Sequence, residues 1–104
     1  MDKPVINING TIYEIIEIKS RLWRIIAEFE ENKNNLSNAD FIDKHAELLA
    51  LFFDGISVDD ILDNVDLSDI LKIYFDCYQY IYWLMYSKLK ILDSTQDVGV
   101  VTEV

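Results

Sequence analysis

The sequence has one cysteine, one proline, one histidine and three glycines in 104 residues, and nine basic residues against nineteen acidic ones. Each scarcity excludes something. A single cysteine, Cys77, allows no intramolecular disulfide, which fits a reducing cytoplasm. One proline (Pro4) and glycines only at 10, 55 and 99 leave few breakers in the interior, favouring long helices over many short strands. The shortage of lysine and arginine argues against nucleic acid or anionic membrane as a partner, because both demand clustered positive charge. Residues 1–7 lack the basic start and apolar stretch of a signal peptide. Between Cys77 and Ser87 the uncharged stretch is only 11 residues. A membrane helix needs about 20.

What is present is apolar surface and acid. Apolar residues make up 51% of the chain and the net charge is −10. Residues 1–53 hold nine acids and six bases, −3; residues 54–104 hold ten acids and three bases, −7. An acidic surface keeps a chain soluble. The length suffices for one core, so a single helical domain is expected over 1–93, with 94–104 a flexible tail. Val98, Val100 and Val101 could pair as a strand if an edge were offered.

Val5-Ile6-Asn7-Ile8-Asn9-Gly10-Thr11-Ile12-Tyr13-Glu14-Ile15 reads as a β-hairpin. Asn-Gly suits the two positive-φ positions of a type I′ turn, and β-branched residues flank it. This register sets Ile8 opposite Thr11 and Ile6 opposite Tyr13. A helix over about Ile16 to Asn32 follows from Ile15, Ile18, Leu22, Ile25, Ile26 and Phe29 at three- and four-residue steps. Ser37-Asn38-Ala39-Asp40 resembles a capping box and opens a second helix to about Phe53, closed by Gly55 as C′. Ser57-Val58-Asp59-Asp60 opens a short third helix, with Ile56 and Ile61 placed as a hydrophobic staple. Asp66 or Ser68 caps the fourth, which runs to about Leu92. The expected fold is mainly α: a small bundle of about four helices with a short N-terminal β-hairpin.

Catalytic equipment is not evident. His45 has Phe41, Ile42, Leu48 and Leu49 as its helical neighbours, none able to share a metal site or triad, so it reads as a structural histidine. Cys77, mid-helix among Ile73, Tyr74, Tyr80 and Ile81, has no activating base and reads as a core thiol. Asp60, Asp63, Asp66 and Asp69 recur every third residue, which is not calcium-loop spacing. With Asp59 they read as helix-start charges or as the acidic rim of a binding surface. No phosphate-cradling glycine loop is present. A non-enzyme without cofactor or metal is expected.

The fourth helix is the informative element. Tyr74, Tyr78, Tyr82 and Tyr86 are spaced by four, with Phe75, Tyr80 and Trp83 off that ladder. Between 73 and 86 the helix is apolar on nearly every side. Such a helix is normally buried all round, yet three shorter helices can surround it only partly. One reading is a central core helix with hydroxyls at the surface. The other sets one face in the core and another against a partner or a second copy, and assigns protein binding to Tyr74, Tyr78, Tyr82, Trp83 and Tyr86, helped by Trp23 and Phe29 if exposed.

The opening Val5 to Ile15 segment, the helices after it, the acidic balance and the length together resemble a phage tail assembly chaperone, the guardian of the tape measure protein in long non-contractile tails. The resemblance spans most of the chain and rests on no invariant motif. It implies a protein of the bacterial host cytoplasm, absent from the virion, that coats an aggregation-prone helical chain until tube subunits polymerise. It also implies self-association and, in many families, a longer frameshifted form. The competing readings are an acidic inhibitor or nucleic-acid mimic filling a basic groove, and a structural subunit of the particle.

Overall fold

The computed structural model describes the backbone of residues 1–97 and the side-chain surroundings of residues 1–89. Two strands, β1 (Val5–Ile8) and β2 (Thr11–Glu14), precede four helices: α1 (Ser20–Asn32), α2 (Asn38–Phe52), α3 (Val58–Asn64) and α4 (Leu67–Asp97). A 3-10 turn at Lys33–Asn35 joins α1 to α2. The architecture is the small helical bundle with an N-terminal hairpin that the sequence pattern implies.

The hairpin has the expected register, Ile6 opposite Tyr13 and Ile8 opposite Thr11. Asn9 (φ 51°) and Gly10 (φ 88°) both adopt positive φ, as a type I′ turn requires. The Asn7 side-chain oxygen accepts from the Gly10 N–H at 2.9 Å. Two strands alone are barely stable in water. Ile6 and Ile8 therefore go into the core, and Ile15 extends the ribbon by a bridge to Phe53.

That bridge moves the start of the first helix. Periodicity places it at Ile16, but it begins at Ser20. The Ile16 N–H donates to the Phe52 carbonyl at 2.8 Å, which holds residues 15 and 16 extended against the end of α2. The bridge also displaces Gly55 from its expected C′ role. Phe53 is itself the extended C-cap of α2, and Gly55 (φ 90°) turns the chain two residues later.

Both Ser-headed helix starts form. Ser37 Oγ accepts from the Asp40 N–H at 3.1 Å. At α3 the box is reciprocal: Ser57 Oγ accepts from the Asp60 N–H, and Asp60 Oδ2 accepts from the Ser57 N–H, each at 3.0 Å. Ile56 and Ile61 are both buried, as a staple demands. Asp66 occupies the residue before α4, and its carbonyl accepts from the Asp69 and Ile70 N–H groups.

The core gathers Ile6 and Ile15 of the hairpin segment, Ile26 of α1, Leu49 and Phe52 of α2, Ile61 of α3, and Cys77 and Ile81 of α4. Of the expected α1 stripe, Leu22, Ile26 and Phe29 are buried, while Ile25 sits at its exposed edge. The 31 residues of α4 span about 46 Å at 1.5 Å per residue, most of the 54 Å long axis. It runs past Leu92 to Asp97, so residues 94–97, expected in the tail, are helical. The expected tail beyond them, with Val98, Val100 and Val101, lies outside the described residues.

Candidate protein-binding face

The tyrosine ladder winds about the α4 axis, because four residues turn about 400°. Its members consequently have different surroundings. Tyr74 is buried (6% exposed), Tyr78 is half-buried, and Tyr82 (48%) and Tyr86 are exposed. Trp83 is exposed as well.

Tyr74 is therefore a core residue, contrary to its place in the expected binding set. Its hydroxyl donates to Glu30 at 2.8 Å. Its ring lies edge-on to Phe29 and His45 and stacks on Phe52. Burial first, and then the Glu30 carboxylate, drive the phenol pKa far above its ordinary value. Phe29 is also buried and cannot help to receive a partner. Trp23, by contrast, is half-buried, with its ring 5.7 Å from Tyr78 and 6.5 Å from Tyr82. It packs over Tyr78 from α1 and lines a separate depression of about 360 Å³ with Ile18, Leu84 and Met85. The pairs Glu30–Tyr74 and Trp23–Tyr82 show that α1 runs antiparallel to α4.

Sequence reading overlooked the rest of the exposed face. Phe75 (54% exposed), Leu71 and Leu89 are exposed on the same side as Tyr82, with Tyr78 half-buried among them, while Met85 lines the separate depression with Ile18, Trp23 and Ile81. From Leu71 to Tyr82 the steps are four, three and four residues, and Leu89 stands seven further on. That alternation was the available signal, and it marks a helix stripe suited to a second helix. A groove of about 440 Å³ lies along it, lined by Phe75, Tyr78, Tyr82, Trp83 and Tyr86, with Met1 at its wall. A second depression of about 330 Å³ shares Phe75 and Tyr78 and carries the groove on past Leu71 towards Lys33 and Phe41.

The aspartates do not rim this groove. Asp59, Asp63, Asp66 and Asp69 are exposed on α3 and the start of α4, while Asp60 is half-buried and committed to the Ser57 capping box. Asp69 lies nine residues before Tyr78, about 13 Å along the axis. The acid that lines the second depression is Glu30, paired to Lys33 at 2.8 Å.

The two residue types best suited to chemistry are enclosed. His45 is buried between Phe29, Phe41 and Tyr74. Its Nδ1 lies 2.7 Å from the Phe41 carbonyl, which can only accept, so Nδ1 carries the proton. Burial lowers its pKa; the nearby Lys33 adds to this, and the Phe41 carbonyl and Glu30 oppose it. Cys77 is fully buried, and burial pushes its thiol up to about 12. Among the described residues no three His, Cys, Asp or Glu side chains gather to hold a metal ion. No helix among them is long and apolar enough to cross a membrane.

No family model, curated protein or solved structure matches the chain.

Proposed function

We propose that this chain is a non-enzymatic holder of another protein, receiving an apolar helix in the groove along α4. The observation that carries the reading is the apolar groove on α4 lined by Phe75, Tyr78, Tyr82, Trp83 and Tyr86, beside the face that packs into the core. Exposed apolar surface of this extent marks an interaction site. Tyrosine and tryptophan suit it, since their rings bury area while their polar tips stay wet. Helix-in-groove recognition reads anchors at three- and four-residue steps, and the face offers that spacing in return. The like charge elsewhere keeps a loaded complex dispersed. The enclosure of His45 and Cys77 also supports a role without catalysis.

The resemblance to phage tail assembly chaperones makes the client concrete: the tape measure protein, or another helical tail protein, held soluble in the host cytoplasm and released before the virion is complete. Coexpression with the neighbouring long tail gene product tests this. The product should move from the insoluble to the soluble fraction with the native chain, and much less so with Y78A/Y82A. A product that stays insoluble with the native chain overturns the client assignment. Salt separates this reading from an acidic mimic: apolar capture persists at high salt, whereas binding to a basic groove collapses.

A further inference from the structure

The groove runs on into a polar depression. We propose that this depression is a subsite for a neutral client side chain that both donates and accepts hydrogen bonds, the carboxamide of a glutamine or asparagine. This rests on the groove being the receiving surface, and adds what the client carries at one end. The depression has a volume of about 330 Å³ and shares Phe75 and Tyr78 with the groove. No charged side chain lines the groove itself. The depression adds Glu30, Lys33, His45 and Tyr74, so the chemistry changes at this end.

The observation behind the subsite is His45, which is only 3% exposed yet lines the depression. Its Nδ1 is committed to the Phe41 carbonyl at 2.7 Å, so the neutral ring presents Nε2 as an acceptor. Burial lowers the His45 pKa, which keeps the ring in that neutral form near neutral pH. Among the described residues no hydrogen bond reaches Nε2. An apolar group laid over the depression would cut this acceptor off from water and leave it unpaired, which is costly. The neighbouring polar groups select the ligand. Glu30 accepts from the Tyr74 hydroxyl and from Lys33 Nζ, each at 2.8 Å. Lys33 is about one-third exposed and spends one of its three donors there. The depression therefore offers an acceptor at His45 and spare donors at Lys33. A carboxylate brings no donor for Nε2 and is repelled by Glu30. An ammonium or guanidinium brings no acceptor and is repelled by Lys33. A carboxamide supplies an N–H for Nε2 and an oxygen for Lys33, and its flat faces suit walls made by the Phe41, Tyr74 and Phe75 rings.

Model helices of alanine and leucine with a polar opposite face serve as probes. One has leucine throughout its apolar face, and a set carries a single glutamine moved through the leucine positions. Binding is read by tryptophan fluorescence, since Trp83 lines the groove. One glutamine position should bind the native chain roughly tenfold more tightly than the all-leucine helix. His45→Phe keeps a ring among Phe29, Phe41 and Tyr74. It should erase that preference without weakening the all-leucine helix, with circular dichroism checking that the variant is folded. The native chain gives a second readout. His45 is the sole histidine, so isotope-labelled histidine isolates its ring in nitrogen NMR. The Nε2 signal should move upfield with the preferred glutamine helix, as a lone pair does on accepting a hydrogen bond, and much less with the all-leucine helix. Equal affinity for glutamine and leucine helices, a preference that survives His45→Phe, or an unmoved Nε2 signal would each overturn the subsite and leave the groove standing. Failure of every helix to bind would overturn the groove reading and the subsite with it.

Discussion

Tyr74 and Tyr82 are two rungs of one ladder with opposite physical roles. Tyr74 holds a carboxylate in a half-dry setting, so Tyr74→Phe strips Glu30 of a charge-assisted hydrogen bond. Lys33, 2.8 Å from Glu30, softens the loss. The expected cost is about 1–2 kcal/mol in urea unfolding. Tyr82→Phe should stay within about 0.5 kcal/mol, as exposed substitutions do. His45 makes a second prediction at this scale. Its folded pKa lies below its ordinary 6.5, so the unfolded chain binds more protons between the two values. Stability therefore falls as pH drops through 6.5 and levels off below the folded pKa. Thermal melts between pH 7.5 and 5.5 should show that fall. Because His45 is the sole histidine, His45→Leu should flatten the profile in this window, where exposed carboxylates remain ionised.

At the scale of elements, helix starts and turns were legible because their chemistry is local. Ser57 and Asp60 satisfy each other's backbone donors across three residues, and Asn9-Gly10 sets its own φ values. Ser57→Ala should cost about 1 kcal/mol, read as a lower urea midpoint at unchanged slope. Helix α3 has only seven residues and little stability of its own, so loss of the cap should also speed amide exchange there first. The start of α1 was not legible. Ile15, Ile18 and Leu22 fit a helical stripe in number, but Ile15 is claimed by its bridge to Phe53, 38 residues away. A local pattern cannot announce a hydrogen bond whose partner is on another element.

For the whole molecule, the decisive feature is a long helix laid against a smaller body. Helices α1 and α2 pack on the side of α4 that carries Tyr74, where Ile70, Cys77 and Ile81 are also buried, and the Phe75–Tyr82–Leu89 side is left open. Sequence excess was a sound guide to this, since a helix apolar all round needs more cover than the remaining residues can supply. It could not say which tyrosines would be covered. The binding set placed Tyr74 with Tyr82, and the fold separates them; it also brings in Phe75, Leu71 and Leu89. Exposed apolar surface of this kind predicts dye binding by the folded chain, and 1-anilinonaphthalene-8-sulfonate fluorescence should fall as the α4 face is covered by a client.

By itself the sequence determined the secondary elements, the hairpin register, the capping boxes and the surplus of aromatic surface on the last helix. Each of these depends on residues within a few positions of one another, or on a sum over the chain. Only the tertiary structure decided where α1 begins, that Tyr74 and His45 are core, and which stripe of α4 meets water. Those outcomes depend on how the helices pack around one another, and packing fixes which side of an all-apolar helix is hidden.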